Sequence, residues 1–354
     1  MNELNVALVG CGFFGKQLAL SFHKAGANLV GVTDINFQLA NQLAEKYSTS
    51  AYIDVPTLIE STTPDLVIIA TFNYAHMAPA ITALNYDCHV FIEVPFALEP
   101  QDCKQIMDLA RSKNKNVFIG HLLRTLPGVM KAKQFINDNI LGKITVARAT
   151  RQRWIDSALD KNWWKNDVKL TGGKLFNEIH ELDLLCWFLG DITSVYAQST
   201  NRAHPDNLEN HDIIQLLLQF KSGVFASLEM GTAYRLHEWG ISIHGERGAL
   251  VINFYNSTMT LTLSDGTRQQ FNLYDEFEAD LSLREGGKSI QKYNEINALA
   301  PLWLSRASEI EVQTVIQHLT DNAVSVLTKQ PMDAVIVAHA AKTSIQRKMQ
   351  INLA

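Results

Sequence analysis

Cysteine is scarce in this chain. Cys11, Cys88, Cys103 and Cys186 are its four, widely spread and never in C-x-x-C spacing, so neither a zinc site nor a disulfide framework is indicated. Reduced, mostly buried thiols are expected instead, and no metal. An excess of positive charge is lacking too: 31 Lys and Arg against 36 Asp and Glu give a formal net charge of -5, with no clustered cations of the kind a nucleic-acid surface needs. No stretch of about 18 apolar residues occurs, which excludes a membrane-spanning helix of ordinary length. The opening Met1-Asn2-Glu3-Leu4-Asn5-Val6 has no basic region followed by an apolar one, so a cytoplasmic protein is expected. Internal repeats and polar low-complexity stretches are also missing. What remains is an ordinary globular composition over 354 residues, more than one core usually serves, and hence two domains.

Up to about Gly120, short β-branched apolar runs alternate with segments of helical period. Val6–Val9, Leu29–Val32, Leu66–Ala70, Val90–Ile92 and Val117–Ile119 are too uniformly apolar to own a solvent face, which predicts a parallel sheet. The segments Phe14–Ala25, Phe37–Tyr47, Ala75–Asn85 and Pro100–Lys113 carry the three- and four-residue spacing of crossover helices. The fold class is therefore α/β, with a doubly wound parallel sheet over residues 1–122. Residues 123–354 read as an α+β domain: a helix Gly128–Asn139, a strand Ile144–Thr150, a Trp-rich stretch from Trp154 to Trp164, and a helix Gly173–Leu189. Then come strand-like runs from Ser194 to Leu263, predicting a large, mainly antiparallel sheet. Arg284–Pro301 reads as a loop over a cleft. Two closing helices, near Leu302–Thr320 and Met332–Gln346, are candidates for packing back on the first domain.

Gly10-Cys11-Gly12-Phe13-Phe14-Gly15 is a G-x-G-x-x-G turn that follows an apolar strand and opens a helix. In that context it is the Rossmann fingerprint for a dinucleotide: Gly10 and Gly12 admit the pyrophosphate to backbone N–H groups, and Gly15 lets helix and strand pack. Phe13 and Phe14 fall within the same contact turn. A glycine turn kept for packing alone is the competing reading. Asp34 ends the next strand about 20 residues on, where a carboxylate accepts from the adenosine ribose and repels a 2′-phosphate, so NAD is expected over NADP. Two further turns at carboxyl ends of strands supply Thr71, Asn73 and His76, and Glu93 with Pro95.

In the second domain, Asn177, His180 and Asp183 lie three residues apart on the expected helix and so share a face. A His paired with a carboxylate could exchange a substrate hydroxyl proton as hydride leaves the same carbon; a buried structural His–Asp pair is the other reading. Taken together, the Gly10–Gly15 turn, Glu93-Val94-Pro95, and Gly172-Gly173 leading to His180 and Asp183 resemble the Gfo/Idh/MocA family over essentially the whole chain. The resemblance implies an NAD(P)-dependent enzyme acting on a ring carbon of a sugar, sugar acid or cyclitol, its catalytic helix facing the nicotinamide. It also implies a homodimer or homotetramer formed through the second domain's sheet. Gly120–Arg124, Gly231–Tyr234 and Pro301–Leu304 resemble a bacterial branch acting on sialic acid and its 2,7-anhydro form. There, oxidation can be transient: a keto group acidifies the neighbouring C–H before hydride returns. Arg124, Trp163 and Trp164 are assigned to the substrate, with Trp154, Lys161 and Lys165 beside them; a Trp-rich core patch with solvated lysines is the alternative. Two departures stand out. Val94 occupies the place of the family's Glu-Lys-Pro lysine, with Lys174 or Lys165 as candidate substitutes, and Asn177 stands where many members carry an acid. Val94 also keeps open a non-catalytic dinucleotide-binding sensor.

Overall fold

The computed structural model describes residues 4–155, 164–203, 211–274, 300–321 and 325–353. It divides into two compact units, Met1–Leu122 with Ser289–Met332, and Leu123–Lys288 with Asp333–Ala354. In the first unit the strands are β1 (Asn5–Val9), β2 (Asn28–Thr33), β3 (Ala51–Tyr52), β4 (Leu66–Ile69), β5 (His89–Ile92) and β6 (Val117–Ile119). They run parallel in the order β3-β2-β1-β4-β5-β6. Helices α1 (Phe13–Lys24), α2 (Phe37–Tyr47), α3 (Val55–Thr62), α4 (Met77–Asn85) and α5 (Pro100–Ser112) make the crossovers. Both faces of the sheet are covered, so Val6, Leu8, Val67, Ile68, Val90 and Phe91 are all fully buried. The strand order reverses between β1 and β4, the switch point where open α/β sheets bind ligands.

Two elements here leave no apolar run to read. The strand β3 has only two residues, paired with Val32 and Thr33. Polar signals start α3: the Asp54 carboxylate accepts from Thr57 N at 2.8 Å, and Pro56 sits in the first turn.

The second unit holds a nine-stranded sheet, with β7 (Ile144–Trp154), β8 (Ile192–Thr200), β9 (Ile213–Phe220), β10 (Phe225–Gly231), β11 (Ala233–Gly245), β12 (Gly248–Asn253), β13 (Thr258–Leu263), β14 (Arg268–Asn272) and β15 (Ile351–Asn352). The order is β14-β13-β12-β11-β7-β10-β9-β8-β15. Only β7 and β10 pair in parallel, so the sheet is mixed and mostly antiparallel. Alternation along β9 sends Ile214, Leu216, Leu218 and Phe220 to a covered face. The opposite face leaves Val146, Leu217, Phe225 and Val251 exposed. Helices α6 (Pro127–Asn137), α7 (Val168–Thr171), α8 (Lys174–Asn177) and α9 (His180–Leu189) belong to this unit. The last two helices part company: α10 (Leu302–Asp321) counts with the first unit and α11 (Asp333–Arg347) with the second. Polar contacts tie α10 to α1, through Ser305 Oγ donating to Gln17 Oε1 at 3.1 Å, Ser21 with Ser308 at 3.0 Å, and the Lys24–Glu309 ion pair at 2.6 Å.

Candidate active site

The three glycines of the β1–α1 turn are glycine for different reasons. Gly10 has φ +97°, and a Cβ there would lie 2.5 Å from the Ala70 carbonyl oxygen. A Cβ on Gly15 would fall 1.9 Å from the Gly10 oxygen, so no side chain fits either place. Packing alone explains these two. Gly12 differs: a Cβ there would meet nothing within 4 Å. Its missing side chain leaves open space at the N-terminus of α1, where free amides and the helix dipole favour an anion. The turn therefore fits a dinucleotide pyrophosphate on its own geometry. Phe13 and Phe14 pack edge to face there at 5.4 Å between centroids, each partly exposed.

Asp34 closes the turn from β2. Its Oδ2 accepts from Cys11 N at 2.6 Å and its Oδ1 from Asn36 N at 2.7 Å, leaving lone pairs on each oxygen for further donors. Cys11 lies buried between, its Sγ donating weakly to Thr33 O at 3.7 Å. Burial, then the Asp34 charge, pushes this thiol up to about 12.

The β4 and β5 turns are joined by His76. Its Nδ1 lies 2.8 Å from Pro95 O and its Nε2 3.3 Å from Thr71 O, and the ring is buried. Burial lowers its pKa despite these carbonyl contacts. His76, expected at the cofactor, is 1% exposed, its ring set between the Thr71 and Pro95 carbonyls, and its one N–H can serve a single one of them. Thr71 is partly exposed, whereas Asn73 and Glu93 are buried, and Glu93 Oε2 accepts from Val94 N at 3.2 Å.

In the second unit, Gly172 and Gly173 both take positive φ, 78° and 97°, which turns the chain from α7 into α8. The expected continuous helix Gly173–Leu189 is broken. Glu178, at φ -123° and ψ 46°, ends α8, and α9 restarts at His180. The physical cause is an ion-pair cluster that claims Glu178. Arg153 Nη2 reaches its Oε1 at 2.5 Å and Arg151 Nε its Oε2 at 3.1 Å, while Arg151 Nη1 reaches Glu181 Oε1 at 2.9 Å. Burial pushes Glu178 up, but Arg153, Lys174 and Arg151 outweigh it and hold the carboxyl well below the usual range. Asn177 is thus on a different helix from His180 and Asp183, and the shared-face argument holds only for the latter two. The signal for the cluster lay in Arg151 and Arg153, two apart on a strand and so on one face.

Asp183 has a firm partner, and it is Arg124. Arg124 Nε donates to Asp183 Oδ2 at 2.8 Å and Nη2 to Oδ1 at 2.5 Å, a two-pronged pair with side chains 0% and 2% exposed. The Arg124 guanidinium also lies 5.6 Å from the Trp187 ring centroid. Arg124 as a substrate contact is therefore corrected: it is wholly buried and its fork is used on Asp183. Lys133 Nζ donates to Trp187 O at 2.7 Å, capping the end of α9. The Trp154 face is occupied by the Arg235 guanidinium, 3.5 Å from the ring centroid. Trp164, partly exposed, opens a one-turn segment with Lys165 5.7 Å from its ring. Trp163, Lys161 and most of the loop expected at Arg284–Pro301 lie outside the described residues.

Two outcomes follow from this geometry. Gly12→Ala should leave the melting temperature within a degree or two yet weaken NADH binding in a fluorescence titration, whereas Gly15→Ala should lower stability by about 1–3 kcal/mol, the usual cost of overpacking; equal loss of stability in both would refute the distinction. Asp183→Asn should cost about 3–5 kcal/mol in urea unfolding by stranding a buried guanidinium, with the double variant Arg124→Met/Asp183→Leu recovering much of it. A single variant as stable as wild type would show that the pair carries no such weight.

Residues 4–121 match the oxidoreductase family with an NAD-binding Rossmann fold, and residues 129–251 match the GFO/IDH/MocA C-terminal domain. The chain is 29% identical to an uncharacterized oxidoreductase of Streptococcus pneumoniae, covering 98% of this chain and 97% of that protein. It is 31% identical to the 2,7-anhydro-N-acetylneuraminate hydratase of Mediterraneibacter gnavus, covering 79% of this chain and 75% of that protein. An NAD-binding oxidoreductase of Klebsiella pneumoniae shares its fold with a TM-score of 0.82 at 21% identity, over 100% of both chains. With an NAD-binding Rossmann unit, a mixed nine-stranded partner unit and a relative above 30% identity across most of its length, this chain belongs to the Gfo/Idh/MocA family of oxidoreductases.

Proposed function

We propose that the protein oxidises or reduces a ring CH–OH of a sugar, sugar acid or cyclitol, with NAD as the hydride partner and His180 as the group that takes or gives the hydroxyl proton. The observation that carries the reading is the open space at Gly12 between two glycines that packing forces. When bound, NAD supplies the hydride acceptor; the Gly10–Gly15 turn would hold its pyrophosphate and Asp34 its ribose. The Asp34 carboxylate, fixed at the glycine turn by Cys11 N, favours NAD over NADP, since a 2′-phosphate would meet a negative charge there. His180 is the first residue of α9, one turn before Asp183, which the Arg124 fork holds in place. Asp183 and the His180 ring interact electrostatically beside the Arg124 fork. Asn177, on α8, is left to orient a hydroxyl, since an amide cannot titrate.

The hydratase activity of the Mediterraneibacter relative favours a finer version. Oxidation to a ketone would then be transient: the acidified neighbouring C–H loses its proton as the anhydro C–O bond breaks, water and the proton add to the resulting double bond, and the hydride returns to the ketone carbon. Val94 fits this version, because such a site need not retain the proton path of a simple dehydrogenase.

NADH should bind at least tenfold more tightly than NADPH, about 1.4 kcal/mol, and Asp34→Ala should erase most of that difference in isothermal calorimetry. A preference for NADPH, unchanged by the substitution, would contradict the reading. His180→Ala should keep NADH affinity within about twofold while lowering turnover roughly 10²-fold or more on whichever sugar, sugar acid or cyclitol the wild type uses in an absorbance assay of NADH. Normal turnover in a folded mutant would assign His180 to structure.

A further inference from the structure

From Lys174 to His180 the chain shows every third residue. Leu175, Phe176, Glu178 and Ile179 are buried, whereas Lys174, Asn177 and His180 stay partly exposed. Asn177 and His180 already have places in the proposed reaction. Lys174 has none: it opens α8 directly after the two glycines whose positive φ turns the chain.

Backbone geometry fixes the surroundings of Lys174. Glu178 N donates to Lys174 O at 2.9 Å, so the two residues stand one helical turn apart. Glu178 is in turn gripped from β7, by Arg153 on Oε1 at 2.5 Å and by Arg151 on Oε2 at 3.1 Å. Glu181 is held on Oε1 by Arg151 at 2.9 Å and by the Trp239 indole N–H. Asp212, the other acid whose charge acts on Lys174, accepts from Arg202 N and Ala203 N. Every acid of the neighbourhood is thus engaged elsewhere, and among the described residues Lys174 makes no hydrogen bond or ion pair. Arg153 Nε is buried and also lacks an acceptor. The cluster holds more donors than its acids accept.

That arrangement is unfavourable for a cation. Burial lowers the pKa of the Lys174 ammonium; Glu178 opposes this, while Arg153 and Arg151 reinforce it. An anion beside the ammonium would supply the missing acceptor and offset the repulsion from both arginines. By holding Glu178 to β7, the arginines also keep the nearest acid of the chain from filling that place.

We propose that Lys174 is a specificity-determining residue that receives the carboxylate of the substrate, on the accessible row it shares with Asn177 and His180, so that the ring CH–OH belongs to a sugar acid. A neutral sugar or cyclitol leaves the ammonium without an acceptor, and a site built around a polar contact discriminates against the ligand that lacks it. The inference rests on the reading of His180 and Asn177 as the groups that handle the substrate hydroxyl.

The test compares wild type, Lys174→Met and Lys174→Arg as full chains with NAD, by calorimetry and by steady-state absorbance. The probes are D-glucuronate, D-galacturonate, N-acetylneuraminate and its 2,7-anhydro form, each beside its methyl ester, which keeps the ring and removes the charge. Wild type should bind at least one acid about tenfold or more tightly than its ester. Lys174→Met should erase that preference, raising KM for the acid about tenfold or more with kcat within about threefold, and Lys174→Arg should keep most of it. Wild type that prefers no acid over its ester, or a preference intact in folded Lys174→Met, overturns the proposal. So does a loss of about 10²-fold in kcat on acid and ester alike at unchanged KM, which would make Lys174 the proton-transfer group in place of the lysine missing at Val94. A Lys174-dependent preference for the acid in a protein that never reduces NAD defeats the dehydrogenase reading instead and leaves the carboxylate site standing.

Discussion

The buried fork between Arg124 and Asp183 is the interaction on which the placement of α9 in the second unit depends. It joins the chain just past Leu122 to the first turn of α9, with both charges removed from water. Such a pair adds little net stability over hydrocarbon, since desolvation consumes most of the Coulomb gain. Its value is directional. Two parallel hydrogen bonds, a Trp187 ring against the guanidinium and the Lys133 cap at the other end leave α9 one way to sit. His180, one turn from Asp183, inherits that orientation.

The same interior solves the problem of buried acid in several ways. Glu178 and Asp183 are matched by arginines from β7 and from the start of the unit. Glu181 takes Arg151 and the Trp239 indole N–H on one oxygen, and burial still raises its pKa. Each solution fixes a different kind of neighbour: a helix or a strand end.

Much of the fold was legible because period and composition agree with it. The segments Phe37–Tyr47 and Val117–Ile119 coincide with α2 and β6 to the residue, and the glycine turn is found where strand meets helix. What escaped depends on tertiary partners. Nothing local in Glu178 announces that two arginines will pull it out of a helix. Arg124 reads as an ordinary cation until its distance to Asp183, 59 positions along, is known. His76 looks like a ligand contact because it sits at a strand end, yet its ring is buried with Pro95 O 2.8 Å from Nδ1. Spacing reveals which residues can share a face; it does not reveal which of them are already taken.

Cys11 gives the cofactor turn a chemical property of its own. Burial and the Asp34 charge raise the Cys11 thiol to about 12, which disfavours the thiolate that peroxides and alkylating agents attack. The residue between the first two glycines is thus almost inert, though it lies at the heart of the binding loop. The burial that packs the turn also shields its thiol from such reagents.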